Sequence, residues 1–125
     1  MDILVNIDVD DLEKAVTFYE RAFGLRLGRR LFDGSVAEML GAPAPIYLLG
    51  RPERNYARHW TPVHLDFAVD DIAAAVQRAV TAGAKLERPI EALPWGKLAV
   101  LGDPFGHGFC LVELPQKETL YPCSE

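Results

Sequence analysis

Two stretches in which apolar and polar residues alternate stand 60 positions apart in the chain. The first runs from Ile3 to Leu12 and the second from Val63 to Ile72, and both end in Val-Asp-Asp followed by an aliphatic residue. Alternation with a period of two is typical of a β-strand with one apolar face. Because the offset is about half of the chain, it indicates an internal repeat.

The alternation divides the side chains of each predicted strand between two faces. The apolar faces hold Ile3, Val5, Ile7 and Val9 in the first copy and Val63, Leu65, Phe67 and Val69 in the second. The opposite, mixed faces hold Leu4, Asn6 and Asp8 in the first copy and His64, Asp66 and Ala68 in the second. We expect the apolar faces to pack against helices and the mixed faces to lie on the other side of the sheet.

A helix is predicted after each of these strands, because apolar residues then recur at helical spacing. Asp10 and Asp70 are the predicted N-caps, since Asp favours that position. The predicted apolar stripes contain Leu12, Ala15, Val16, Tyr19 and Phe23 in the first helix and Ile72, Val76, Ala79 and Val80 in the second. We expect Leu12, Val16, Val76 and Val80 to be buried against the sheet.

Three short strands follow each predicted helix, separated by turn residues such as Asp33-Gly34 and Asp103-Pro104. The predicted strands are 25–31, 35–40 and 46–49 in the first half and 85–90, 97–101 and 108–114 in the second. The sequence therefore predicts an α+β fold of two βαβββ modules. Their predicted bounds are 1–50 and 63–114, with a linker at 51–62 and a polar tail at 115–125.

Composition narrows the classes of function. The chain has 125 residues, of which 50% are apolar and 25% charged, as expected for one compact globular unit. The net charge of −5 argues against nucleic acid as a partner, and no apolar run approaches the ~20 residues needed to span a membrane. Met1-Asp2-Ile3 lacks a basic leader, and Cys110 and Cys123 make no disulfide framework, so we expect a cytoplasmic protein with free thiols.

The repeated module resembles the vicinal oxygen chelate superfamily, which includes glyoxalases, bleomycin-resistance proteins and extradiol dioxygenases. The segments that carry the resemblance are Val9–Ala15, Phe18-Tyr19, Ala22–Leu25 and Asp103–His107. The resemblance implies that the two modules form a cup-shaped, barrel-like sheet with the helices outside and a small-molecule cavity inside. It also implies a homodimer, and it leaves open whether each cup is built from one chain or from two.

Many members of the superfamily hold a divalent metal ion on the first and last strands of each module. Counting back seven residues from Asp71 reaches His64, the only position that keeps a family ligand, whereas the same count from Asp11 reaches Leu4. Counting forward seven residues from Asp103 reaches Cys110 in place of the family's glutamate. We therefore expect the family metal site to be lost and no cofactor to be needed. A metal held by His64, Cys110 and Asp66 stays open as an alternative.

Other candidate ligands of a metal are less favourable. The strand 45–49 offers no carboxylate or imidazole, and alternation places Glu113 on the face away from the cavity.

His107 lies in the late turn, where we expect it to stabilise the turn rather than to react. Trp60, Tyr56 and Trp95 are candidates for an aromatic lid or a dimer contact.

Three functions remain open from the sequence. The first is a metal-free protein that binds a small organic molecule, and the predicted ligand-binding residues are Asn6, Asp8, His64, Asp66, Cys110 and Trp60. The charge of −5, with Asp8 and Asp66 on the cavity face, favours a cationic ligand. The second is a lyase, isomerase or dioxygenase with a rearranged metal site around His64. The third is a metal-free enzyme in which His64 and Asp66 form the catalytic acid/base pair.

Overall fold

The computed structural model describes residues 1–51 and 60–115, in which the βαβββ order occurs twice. The first half contains β1 (Asp2–Val9), α1 (Leu12–Phe23), β2 (Arg26–Leu31), β3 (Val36–Leu40) and β4 (Ile46–Gly50). The second half contains β5 (Val63–Ala68), α2 (Ile72–Ala82), β6 (Lys85–Leu93), β7 (Gly96–Gly102) and β8 (Gly108–Glu113). The predicted α+β fold of two modules is confirmed.

All eight strands of the described ranges form one mixed sheet in the order β2-β3-β4-β1-β5-β8-β7-β6. The first strands of the two halves, β1 and β5, pair antiparallel at its centre, and Leu4 lies opposite Asp66 while Asn6 lies opposite His64. Within each half, the first and last strands run parallel, as β1 with β4 and β5 with β8. Both halves of one chain therefore build the same sheet across the β1–β5 seam.

Each helix is capped by the second aspartate of its Val-Asp-Asp segment. The Asp11 carboxylate accepts a hydrogen bond from the Lys14 N–H at 3.2 Å, and Asp71 accepts one from the Ala74 N–H at 3.1 Å. The prediction that Asp10 and Asp70 are the caps was wrong by one residue. The backbone is still extended at the second aspartate, so that residue, and not the first, is the one that flanks the helix.

The helices lie on the apolar face of the sheet, and Val16, which is 5% exposed, confirms the predicted face of α1. In α2, Ile72 and Ala75 are buried and Val76 is partly buried, but Val80 is 42% exposed. The prediction that Val80 is buried was therefore wrong. A rotation of roughly 100° per residue turns Val80 about 80° away from Ile72, to the side of the helix and not toward the sheet.

Two apolar cores lie under the helices and a third lies on the opposite face of the sheet. Val16 packs with Ala37, Met39 and Leu48, and Ile72 belongs to the corresponding core of the second half. The third core contains Leu4, Leu31 and Tyr47, which are fully buried. Leu4 thus points away from the helices, as the alternation predicts. No helix within the described ranges has the length and apolarity to cross a membrane.

Candidate functional site

A cavity of about 350 Å³ opens on the face of the sheet opposite the helices, and both halves of the chain line it. Its apolar walls come mainly from Phe32, Val36, Leu49, Trp95 and Leu98. Its polar side chains gather near the β1–β5 seam, where the mixed faces of the two repeats meet. Cavities with apolar walls and a few polar groups are the usual sites for small molecules.

His64, Asp66 and Cys110 converge on the floor of this cavity. His64 and Asp66 are two residues apart on β5 and therefore share a face, and Cys110 on β8 is paired directly with Asp66. The His64 Nε2 atom lies 3.6 Å from Asp66 Oδ1. One ligand atom from each of the three side chains lies within 4.8 Å of the other two. The structure thus brings together the three residues that the sequence singled out as an alternative metal site.

The Cys110 thiol is held in its neutral form. Burial, and after it the negative charge of Asp66 beside the thiol, together raise its pKa to about 12. A thiol is nucleophilic, and binds metals, only after it loses its proton. Near neutral pH, Cys110 is therefore a weak hydrogen-bonding group of the cavity floor and not a nucleophile.

Asn6 lies across the seam from His64 and is almost wholly buried, with 4% of its surface exposed. It lines the cavity, and its side-chain nitrogen has no hydrogen-bond partner among the residues that the structure describes. An unsatisfied buried donor costs about 1–3 kcal/mol. A ligand that offers an acceptor oxygen to Asn6 would remove that cost.

Asp8 is buried beside Arg51. Of these two residues, Arg51 is the one that lines the cavity. The Arg51 Nε atom lies 3.2 Å from Asp8 Oδ1, and Arg51 is 57% exposed whereas Asp8 is 4% exposed. Arg51 was not singled out in the sequence analysis. Its position directly after β4, whose end runs beside β1, was the signal for this pairing; the Arg51 N–H donates to the Val9 carbonyl at 2.7 Å.

Trp60 packs beside the floor and is not among the residues that line the cavity. Its ring meets that of His64 edge to face, with 5.4 Å between centroids, and its Nε1–H donates to Glu87 at 3.2 Å. It also lies directly on Gly108, where a Cβ would stand 2.4 Å from the indole. Trp60 therefore holds the His64 ring in place. Of the other aromatic candidates, Trp95 lines the cavity and Tyr56 lies outside the described residues.

A buried polar network, which sequence reasoning missed, supports the opposite wall. The Tyr47 hydroxyl donates to Glu38 at 3.2 Å, and Glu38 accepts from Arg29 Nε and Nη2 at 3.1 and 2.9 Å. Burial raises the pKa of Tyr47 far above its ordinary value. Burial also acts to raise the pKa of Glu38, but the hydrogen bonds from Arg29 outweigh it and hold that pKa below its usual range. Tyr47 is therefore a protonated, fixed wall of the cavity.

The residues at the metal positions of the superfamily do not fit a hard, oxygen-ligated ion. Pairing with β1 and β5 makes Tyr47 the counterpart of Cys110, so the four positions hold Leu4, Tyr47, His64 and Cys110. Leu4 has no donor atom, and the Tyr47 hydroxyl is bound to Glu38. Mg²⁺ and Mn²⁺ prefer carboxylate and carbonyl oxygens, which this set lacks.

Two further side chains near the site have structural roles. Glu113 lies on the helix side of the sheet, where it accepts a hydrogen bond from the Ile72 N–H at 2.8 Å at the start of α2. In the late turn, the Asp103 carboxylate accepts from the Phe105 and His107 N–H groups at 2.8 and 2.9 Å. These backbone hydrogen bonds, that of His107 first, lower the pKa of Asp103. His107 thus contributes to the turn through its backbone, and its exposed side chain lies outside this cavity.

Comparison with known proteins agrees with the fold. The model of the family described as Glyoxalase-like domain matches residues 4–112. An uncharacterised protein of Mycobacterium bovis is 33% identical across 82% of this chain and 76% of its own length. An uncharacterised protein of Mycobacterium tuberculosis is also 33% identical, across 82% of this chain and 68% of its own length.

Solved structures share the fold at lower sequence identity. A glyoxalase/bleomycin resistance protein/dioxygenase superfamily member from Vibrio splendidus superposes with a TM-score of 0.69 at 17% identity, covering 89% of this chain and 97% of that one. Methylmalonyl-CoA epimerase from Mycobacterium tuberculosis superposes with a TM-score of 0.66 at 22% identity, covering 92% and 88%. The repeated βαβββ module and these matches show that the chain belongs to the glyoxalase-like domain family of the vicinal oxygen chelate superfamily.

Proposed function

We propose that this protein binds a small organic molecule in the cavity between its two halves, without a resident metal ion. The observation that carries the proposal is the buried Asn6 amide, which lines the cavity and has no partner for its nitrogen within the described ranges. A buried polar group that is not satisfied within the fold is typical of a ligand site. The neighbouring His64 and Asp66 add a second polar contact on the same floor.

The choice of a metal-free site depends on the donor atoms. A divalent ion at the superfamily position would have only His64 as a ready ligand, because Leu4 cannot coordinate and Cys110 keeps its proton. Catalytic zinc ordinarily takes three protein ligands. A site built from His64, Asp66 and Cys110 would first have to lose the thiol proton, which the raised pKa opposes.

A metal-free enzyme is the second candidate, and the 3.6 Å separation of His64 and Asp66 favours it. An imidazole beside a carboxylate is oriented for proton transfer to or from a bound molecule. If the protein is such an enzyme, Asp66→Asn lowers turnover far more than it lowers affinity. In a protein that only binds, the same substitution changes affinity alone.

The proposal is tested by screening a fragment library against the protein and measuring the affinity of each hit by calorimetry. We expect His64→Ala and Asn6→Ala each to weaken binding about tenfold or more, because each removes a hydrogen bond of roughly 1–2 kcal/mol. His107→Ala, which removes an exposed imidazole outside the cavity, serves as the matched control and leaves affinity unchanged. Hits whose affinity is the same in all four proteins would place the ligand elsewhere and contradict the proposal.

The assembly and compartment are further parts of the proposal. We expect a homodimer, as the resemblance to the superfamily implies, and the uncovered outer face of β5 supports it, since Val63 and Leu65 are exposed there. Sedimentation velocity at micromolar concentration tests this expectation, and a single monomeric species would contradict it. We also propose a reducing, cytoplasmic setting, on the basis that the two cysteines form no disulfide framework.

A further inference from the structure

We infer that the cavity selects ligands that carry a carboxylate, and that Arg51 is the residue that recognises it. This inference rests on the proposed small-molecule function and names the class of ligand. It reverses the expectation of a cationic ligand, which was drawn from the net charge of −5 and from Asp8 and Asp66 on the cavity face. A net charge describes the whole surface, whereas a ligand in the cavity meets the few charges that line it.

Among the described residues that line the cavity, the most exposed charge is positive. The Arg51 side chain is 57% exposed and lines the cavity, whereas the side chains of Asp8 and Asp66 are 4% and 8% exposed. Asp8 is ion-paired with Arg51, and Asp66 lies between His64 and the Cys110 thiol. Asp8 is thus ion-paired and the Asp66 side chain is almost wholly buried, so among the described residues Arg51 is the most exposed charged side chain of the cavity lining.

The contact with Asp8 leaves Arg51 able to bind a second anion. The distance of 3.2 Å is to Nε, and among the described residues Asp8 is the only side-chain partner of this guanidinium. A guanidinium has five donors in a planar fork, so a carboxylate can bind its two terminal nitrogens while the Asp8 carboxylate stays ion-paired beside Nε. Asp8 would hold the guanidinium in place at the cavity. The entropy cost of ordering the long arginine side chain would then not be added to the free energy of ligand binding.

The arrangement of the polar groups describes the rest of the ligand. Asp8 and Asn6 are two residues apart on β1 and share a face of the sheet, and both Arg51 and the Asn6 amide line the cavity. A molecule with a carboxylate at one end and a hydroxyl or oxo oxygen at the other would reach both. The Phe32 and Trp95 side chains line the space around such a molecule and suit an aromatic body. The class is therefore aromatic hydroxy- or oxo-carboxylates.

The experiment compares two probes of nearly the same shape, 4-hydroxybenzoate and its uncharged amide, 4-hydroxybenzamide, by calorimetry at low ionic strength. We expect the wild type to bind the acid at least tenfold more tightly than the amide, since charge-assisted hydrogen bonds to arginine are the stronger ones. Arg51→Gln should reduce this preference to less than threefold. Arg78→Gln makes the same change of charge on the exposed surface of α2 and should keep it.

Arg51→Gln leaves the buried Asp8 carboxylate without this partner, which can destabilise the protein. The double variant Asp8→Asn/Arg51→Gln removes both charges and is measured as well. It should be folded and show the same loss of preference for the acid over the amide. Equal affinity of the wild type for acid and amide, the absence of any binding of the acid, or a preference that survives in the double variant would each overturn the inference. These outcomes differ from failure of the proposed function, which would appear as fragment hits that are insensitive to His64→Ala and Asn6→Ala. Neutral hits that do depend on His64 would support the function and reject the carboxylate.

Discussion

At the scale of single residues, the surroundings of each cavity side chain decide its chemistry. Cys110 occupies a position where the superfamily places a metal-binding glutamate, yet burial and the Asp66 carboxylate keep its thiol protonated. Tyr47, its counterpart in the first half, has its proton held by Glu38. Neither side chain is therefore deprotonated near neutral pH. The polar contacts at the floor of the cavity come from Asn6, His64 and Asp66.

The rate of alkylation measures how strongly the folded protein keeps the Cys110 thiol protonated. With the thiol pKa at about 12 against an ordinary 9.0, the thiolate is roughly 1,000-fold rarer at pH 8. We expect iodoacetamide to label Cys110 in the folded protein at least 100-fold more slowly than in urea, as followed by mass spectrometry of its peptide. Asp66→Asn should accelerate the reaction, because it removes the negative charge beside the thiol. Labelling of the native protein with a midpoint near pH 9 would contradict this assignment.

The same thiol should make stability depend on pH. In the unfolded chain Cys110 loses its proton near its ordinary pKa of 9.0, whereas in the folded protein it keeps the proton up to about pH 12. The contribution of this group is therefore fully present below pH 9 and is lost as pH rises from 9 toward 12.

At the scale of elements, each helix is attached to the sheet by one narrow apolar stripe. In α1 the only fully buried side chain is Val16, which packs on β3 and β4 through Ala37, Met39 and Leu48. In α2 the buried pair is Ile72 and Ala75. Small and medium side chains at these positions let the helices lie close to the strands.

Two valine substitutions compare the buried and exposed sides of the helices. We expect Val16→Asp to unfold the first half, because an unpaired charge in an apolar core costs several kcal/mol. Val80→Asp makes the same change at a position that is 42% exposed and should lower the melting temperature only slightly. Thermal unfolding followed by circular dichroism gives both values. Equal melting temperatures for the two variants would contradict the placement of α1.

The order of elements and the facing of the strands could be predicted, because the period of two and the repeat are local features of the chain. The cap positions could not, since adjacent aspartates at 10–11 and 70–71 are equally good caps and the backbone decides between them. The Arg51–Asp8 pair and the Glu38–Tyr47 contact also escaped prediction. The first joins β1 to the residue after β4, and the second joins direct partners on β3 and β4, so both depend on the order and register of the strands in the sheet.

At the scale of the whole molecule, one chain encloses the cavity with both of its halves. The first half supplies most of the apolar wall together with Arg51 and Asn6, and the second supplies His64, Asp66 and Cys110. The chemistry of the site therefore depends on the seam between β1 and β5, which sets the distance between the two sets of side chains.

Metal content tests the composition of this shared site. We expect the protein, purified without added metal, to carry well under one equivalent of divalent metal, because Leu4 and Cys110 replace ligands of the superfamily site. The metal content is measured by emission spectrometry. Treatment with a chelator should leave the melting temperature, measured by calorimetry, unchanged. One equivalent of zinc, nickel, manganese or iron that disappears in His64→Ala would instead favour the metal-dependent alternative.

The antiparallel β1–β5 seam also has an evolutionary consequence. When a module is duplicated, the two copies first contribute identical residues to the site. One copy can then change while the other keeps its original role in the site. In this chain the equivalent positions of the two copies now hold Leu4 and His64, Asn6 and Asp66, and Tyr47 and Cys110. None of these three pairs has kept the same residue. Duplication thus gave each half the freedom to specialise, the first toward most of the apolar wall of the cavity and the second toward the polar side chains of its floor.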